Sequence, residues 1–249
     1  MNLPVQVVEA VKDRRCILFS GRRSSLELQP DLVPGEKKLV RALVGRRCSL
    51  SEALNTTEAE LGRAGLEEEL RGFFAPEALE PGLFHRVAVQ SFPVIFTTAW
   101  DDTFERAAEA TGRPFTVSYR GEPLPEPAAG ALRIHKFWGG FSRPGSVVAT
   151  ANHRRSSPLP EDQKRYWRKL LRGHVALFAG YRPDETEFES LFDELVAGYG
   201  GELPRTHWAV SQGRITDVQW QKWVWRGMLL FTGDPSEVAE TLPRPHENT

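Results

Sequence analysis

Val94-Ile95-Phe96-Thr97-Thr98, followed at once by Ala99-Trp100-Asp101-Asp102-Thr103-Phe104-Glu105, is an apolar run that passes directly into the start of a helix. A short β-branched and aromatic run bounded by polar turn residues reads as a buried strand. Asp102 and Glu105 have capping-box spacing and open a helix that runs to about Thr111. The same text recurs on both sides. Cys16-Ile17-Leu18-Phe19 ends at Ser20 before Gly21, while Leu132-Arg133-Ile134-His135 and Ser146-Val147-Val148-Ala149-Thr150 read as two further strands before a helix from Glu161 to Arg172. His174 to Ala179 is a strand ending at Gly180, with a helix from Glu187 to Tyr199 after it. His207-Trp208-Ala209-Val210 and Met228-Leu229-Leu230-Phe231 complete the strands, and Pro235 to Leu242 closes with a short helix. Near-continuous apolar strands alternating with helices predict an α/β fold, a Rossmann-like doubly wound parallel sheet covered on both faces. Ligands of such sheets bind beyond the carboxyl ends of the strands, where the topology reverses.

From Glu36 to Leu79 the text is helical, with leucines at Leu39, Leu43, Leu50, Leu54, Leu61, Leu66 and Leu70 and breaks expected near Gly35, Asn55 and Pro76. The expected organisation is one domain over 1–249: a Rossmann-like core at 1–30 and 85–242, a helical insertion at 31–84, and a disordered tail at 243–249. The 249 residues, 40% of them apolar, supply a core that needs no metal or disulfide. Cys16 and Cys48 form no CxxC pair, which argues against a zinc ribbon and fits a reducing cytoplasm. The first fifteen residues read as an amphipathic helix rather than a signal peptide, and no apolar run nears the roughly 20 residues that span a bilayer. A net charge of −1 gives no general attraction to nucleic acid or anionic lipid.

Four strand ends carry the chemistry: Phe19-Ser20-Gly21-Arg22-Arg23-Ser24-Ser25, Thr97-Thr98-Ala99-Trp100-Asp101, Ile134-His135-Lys136, and Phe178-Ala179-Gly180-Tyr181-Arg182-Pro183-Asp184-Glu185. In order and spacing they resemble the sirtuin-like family, in particular its bacterial branch without a zinc ribbon, related to the NAD-hydrolysing effectors of bacterial defence. That family has a GAGxS phosphate loop, a TTNxD motif, a strand ending in His-Gly, and GYSxxD. The resemblance implies cleavage of the nicotinamide–ribose bond of NAD through an oxocarbenium-like state, with His135 as the base. It also implies a nucleotide site framed by Gly21, Arg22, Arg23, Ser25, Thr97, Thr98, Ala99, Trp100, Asp101, Gly180, Tyr181 and Glu185.

Several letters depart from the family pattern. Arg22 and Arg23 replace a small residue and a glycine where bare backbone normally approaches phosphates. Ala99 replaces the catalytic asparagine, and Arg182 and Glu185 replace the serine and aspartate of the last motif. The resemblance therefore implies a protein that binds NAD or ADP-ribose, needs no metal, and has weakened or lost catalysis. An active NAD glycohydrolase and a non-catalytic interaction subunit are the alternatives. Read as residues alone, the Gly21 loop is an ordinary strand-to-helix turn with exposed arginines, a phosphate site in which arginine forks replace glycine amides, or a pocket that the arginines fill. Asp101 and Asp102 read as helix caps before acids. Two basic, aromatic stretches, Lys164 to Lys169 and Trp220 to Arg226, suggest packing under arginine stems first, then a protein partner or a second copy of the chain, with nucleic acid disfavoured.

Overall fold

The computed structural model describes residues 3–26, 35–75, 79–126, 128–182, 186–204, 206–211 and 214–243. Helix α1 (Val5–Lys12) leads into β1 (Cys16–Ser20), and α2 (Arg23–Leu26), α3 (Glu36–Val44), α4 (Leu50–Phe74) and α5 (Leu83–Ser91) lie between β1 and β2 (Val94–Thr97). There follow α6 (Thr103–Ala110), β3 (Phe115–Tyr119), β4 (Leu132–Lys136), α7 (Ala151–Ser156), α8 (Glu161–Gly173) and β5 (Val175–Tyr181). The last elements are α9 (Thr186–Val196), β6 (His207–Ser211), α10 (Asp217–Trp225), β7 (Met228–Thr232) and α11 (Pro235–Thr241).

The seven strands form one sheet in the order β3-β4-β2-β1-β5-β6-β7, and every neighbouring pair is parallel. Strands β1, β2 and β5 are buried on both faces or nearly so, which is what their unbroken apolar runs require. Alternation then divides the core in two. Cys16, Leu18, Ile95, Ile134 and Leu177 pack against α1, α5, α6 and α11, while Ile17, Phe19, Phe96 and Phe178 pack against α3, α4, α8, α9 and α10. On the second face one row of rings crosses four strands in register: Phe178 on Phe19 at 4.5 Å, Phe19 on Phe96 at 4.6 Å, and Phe96 on His135 at 4.8 Å between centroids.

Four expectations change. Ser146–Thr150 is not a strand, because α4 takes its polar groups and covers its apolar ones. Arg63 donates to the carbonyls of Gly145 (2.8 Å) and Val147, Glu67 accepts from the Gly145 amide (3.0 Å), Glu58 accepts from the Thr150 hydroxyl, and Val147 and Val148 are buried. β3, which the apolar runs do not mark, is a half-buried edge strand of alternating character, Phe115-Thr116-Val117-Ser118-Tyr119. The helical segment breaks at Gly45 and, inside α4, at Gly62 (φ 72°, ψ 174°), not at Asn55, which lies within the helix. Asp102 caps α6 without its side chain, and Asp101 accepts from the Thr103 amide (3.1 Å) and hydroxyl instead. Pro76 and the tail from residue 244 lie outside the described residues.

Two glycines meet where the topology reverses. β1 sends the chain towards β2 and β5 sends it towards β6, so the crevice opens between these neighbours. There the Gly21 amide donates to the Ala179 carbonyl (2.8 Å), and a Cβ on Gly21 would stand 2.1 Å from the Gly180 carbonyl oxygen. Gly180 itself has φ +74° and would press a Cβ against the Ser24 hydroxyl. Gly21→Ala is therefore expected to cost about 1–3 kcal/mol or more, against near neutrality for Gly173→Ala, whose Cβ meets nothing within 4 Å. Paired thermal unfolding of the two variants measures this.

Candidate functional site

The Gly21 turn uses its own amides. Besides the Gly21 bond to Ala179, the Ser24 amide donates to the Gly21 carbonyl (3.1 Å) and the Ser25 amide to the Arg22 carbonyl (3.2 Å). The Ser20 and Ser24 hydroxyls bond each other at 2.7 Å. Ser25 faces away from the crevice, 3.4 Å from His85 Nε2 and 3.3 Å from the Thr103 hydroxyl. Three amides of this turn, those of Gly21, Ser24 and Ser25, are thus bonded within the protein.

A cleft of about 410 Å³ lies over the carboxyl ends of β1, β2 and β5. Arg22 and Arg23 come from the turn after β1, Arg182 from the end of β5, and Arg154 from α7; Glu36 is the one carboxylate among the described lining residues. Thr98, Trp100 and Trp138 also line it, as do Ser49, Leu50 and Ser51 at the start of α4. The Arg154 guanidinium lies 5.6 Å from the Trp138 ring, and the Trp100 indole N–H is buried without a partner. Among the described residues, four arginines and one carboxylate thus border the cleft, on a chain whose net charge is −1.

His135 is elsewhere. As the last ring of the four-strand row it lies one residue short of the end of β4, stacked on Phe96, edge-on to Tyr166, with Nδ1 paired to the Ser118 hydroxyl. It lines a separate cavity of about 220 Å³ that shares no residue with the arginine cleft. Burial, with the nearby Arg133 charge, pushes its pKa down to about 3.

Residues 93–228 match the family described as SIR2-like domain. This chain belongs to that family. The matched stretch runs from the start of β2 into β7 and leaves out β1 and the Gly21 turn. Among solved structures, a Sir2 homologue–NAD complex is 14% identical with a TM-score of 0.53, covering 96% of this chain and 92% of that one. A Sir2 homologue mutant–ADP-ribose complex is 13% identical, TM-score 0.55, over 96% and 94%. A structure described as "The Structural basis of Sirtuin Substrate Affinity" is 13% identical, TM-score 0.53, over 96% and 97%. At these identities the likeness is one of fold. No curated protein sequence matches the chain significantly.

Of the SIR2-like site residues expected from sequence, Arg22, Arg23, Thr98 and Trp100 share the cleft. Gly21 and Gly180 are buried against each other, the Thr97 hydroxyl accepts from the Ala99 amide (3.0 Å), and Ala99 is buried. Tyr181 stacks on Phe188 at 5.0 Å and reaches the Thr98 hydroxyl at 3.4 Å; Asp101 is a cap, and its carbonyl accepts from Lys136. Glu185 lies outside the described residues. Arg154 and Trp138 were missed, since neither belongs to a motif and both reach the cleft through the β4–α7 loop that α4 holds down. Of the basic, aromatic stretches, Trp167 and Trp223 are core residues, whereas Trp225 is 80% exposed on α10. Among the described residues no group of His, Cys, Asp or Glu converges as a metal site, and no helix is long and apolar enough to cross a membrane.

Two buried rings set the acid response. Burial lowers His85 to about 4 against the pull of Asp101, and His135 to about 3. The unfolded chain takes up protons below the ordinary histidine value of ~6.5 while the folded chain does not, so stability is unaffected above that value and falls as pH drops from it towards 4 and 3. The loss at about pH 5 is on the order of 2 kcal/mol per ring. Melting temperatures at neutral pH and at about pH 5 are expected to differ less in His135→Gln than in the wild type.

Proposed function

We propose that this chain binds NAD or ADP-ribose through the diphosphate in the arginine cleft, and cleaves the nicotinamide–ribose bond slowly or not at all. The observation that carries this reading is the separation of two parts that the family resemblance places together. Arg22, Arg23 and Arg182 border the crevice at the reversal of the sheet, while His135 lies in another cavity as part of a packed ring row. Guanidinium forks bind phosphate by paired, charge-assisted bonds and supply what the occupied loop amides do not. Trp100 and Trp138 give the same cleft an aromatic lining beside which a base could pack. The solved structures of the same fold in complex with NAD and with ADP-ribose support this choice of ligand.

Catalysis needs a polar group at the reacting ribose and a base that reaches it. Ala99 supplies neither, and losing one such group costs ~2.7–4 kcal/mol, or ~100- to 1000-fold in rate. A second reading, an interaction subunit, is favoured by one observation: Val218 and Trp225, one heptad apart on the same face of α10, are both exposed.

Saturating ADP-ribose is expected to raise the melting temperature by a few degrees, as about 2.7 kcal/mol of binding linkage requires at 100 times the dissociation constant. Arg22→Ala and Arg182→Ala should each weaken binding about 10- to 100-fold. Chromatography of an overnight reaction with NAD should show little or no nicotinamide. Robust release that disappears in His135→Ala contradicts the proposal.

A further inference from the structure

The cavity beside His135 has the properties of a binding site in its own right. Three buried polar atoms that border it have no hydrogen-bond partner: His135 Nε2, the Thr116 hydroxyl and the Tyr166 hydroxyl. Such atoms are rare in folded proteins because each carries a desolvation cost. His135 is only 4% exposed, and its Nδ1 is already engaged by Ser118, so its remaining nitrogen is left to the cavity. Arg133 also lines the space, with its guanidinium 5.7 Å from the Tyr166 ring and no ion pair among the described residues. Leu124, Pro125 and the Tyr166 ring supply apolar lining, and Glu126 completes it.

We propose that this cavity is a second ligand site, separate from the nucleotide cleft, that takes a small aromatic monocarboxylate. The donor set selects the charge. If the Ser118 hydroxyl donates to Nδ1, Nε2 carries the proton, and it joins the two hydroxyls and the Arg133 fork as donors for one carboxylate. The walls select the body, since a flat ring packs between Tyr166 and the Leu124–Pro125 segment. The volume selects the size: about 150 Å³ admits benzene, so 220 Å³ has room for one ring and one carboxylate. Glu126 stands at the rim and is exposed, so water screens its charge. The proposal does not rest on nucleotide binding, because the two cavities share no lining residue.

Benzoate and its neutral isostere benzamide test it, titrated into the full chain by calorimetry and by nitrogen NMR of the histidine rings. Benzoate should bind in the millimolar range or better, at least about tenfold more tightly than benzamide, and should move the His135 Nε2 resonance. Arg133→Gln should remove the preference for benzoate, and Thr116→Val and Tyr166→Phe should each weaken it about fivefold. Arg182→Ala and saturating ADP-ribose should leave benzoate binding unchanged. The wild-type NMR titration stands even if a variant does not fold. Absence of a His135 shift at millimolar benzoate, equal binding of benzamide, or displacement by ADP-ribose overturns the proposal.

Discussion

The row of rings His135–Phe96–Phe19–Phe178 is the constraint on which the rest of the molecule depends. Its stacked contacts of 4.5–4.8 Å tie together β4, β2, β1 and β5, the four central strands, and fix their mutual register. Each stacked pair adds about 0.5–1.5 kcal/mol to the burial of its surface. Since side chains alternate along a strand, fixing this row also places the next one, Ser20, Thr97, Lys136 and Ala179, on the opposite face. A histidine built into such a row is held by packing on Phe96 and by Ser118, and it titrates as a core residue.

A second consequence appears at the crevice. Gly21 and Gly180 pack directly against each other between β1 and β5, the Gly21 amide bonds to Ala179, and the Ser24 and Ser25 amides bond within the turn. The cleft beside this turn is lined by the side chains of Arg22, Arg23, Arg154 and Arg182. Guanidiniums hold a phosphate well, yet they occupy the volume that bare glycine would leave for close approach.

Much of this was legible in the residues. Strands β1, β2 and β5 announce themselves because they are buried on both faces and read as unbroken apolar runs. β3 did not, because an edge strand alternates and its Thr116 and Ser118 look like loop residues. Val147 and Val148 misled for the opposite reason: they are as apolar as a strand, but Arg63 and Glu67 on α4 take the neighbouring backbone groups. Within the site, Arg22 and Arg23 could be found from their place in a motif, whereas Arg154 and Trp138 could not, since only the tertiary path of the β4–α7 loop brings them to the cleft. The depth of His135 is a matter of one residue of register, which a motif does not specify.

A crystal structure of the complex with ADP-ribose tests the central claim most directly. The diphosphate is expected on Arg22 and Arg182, the ribose near Thr98 and Trp100, and His135 still stacked on Phe96 without contact to the nucleotide. A ribose hydroxyl within hydrogen-bonding distance of His135 Nε2 would contradict it, because the base and the phosphate site would then belong to one working centre.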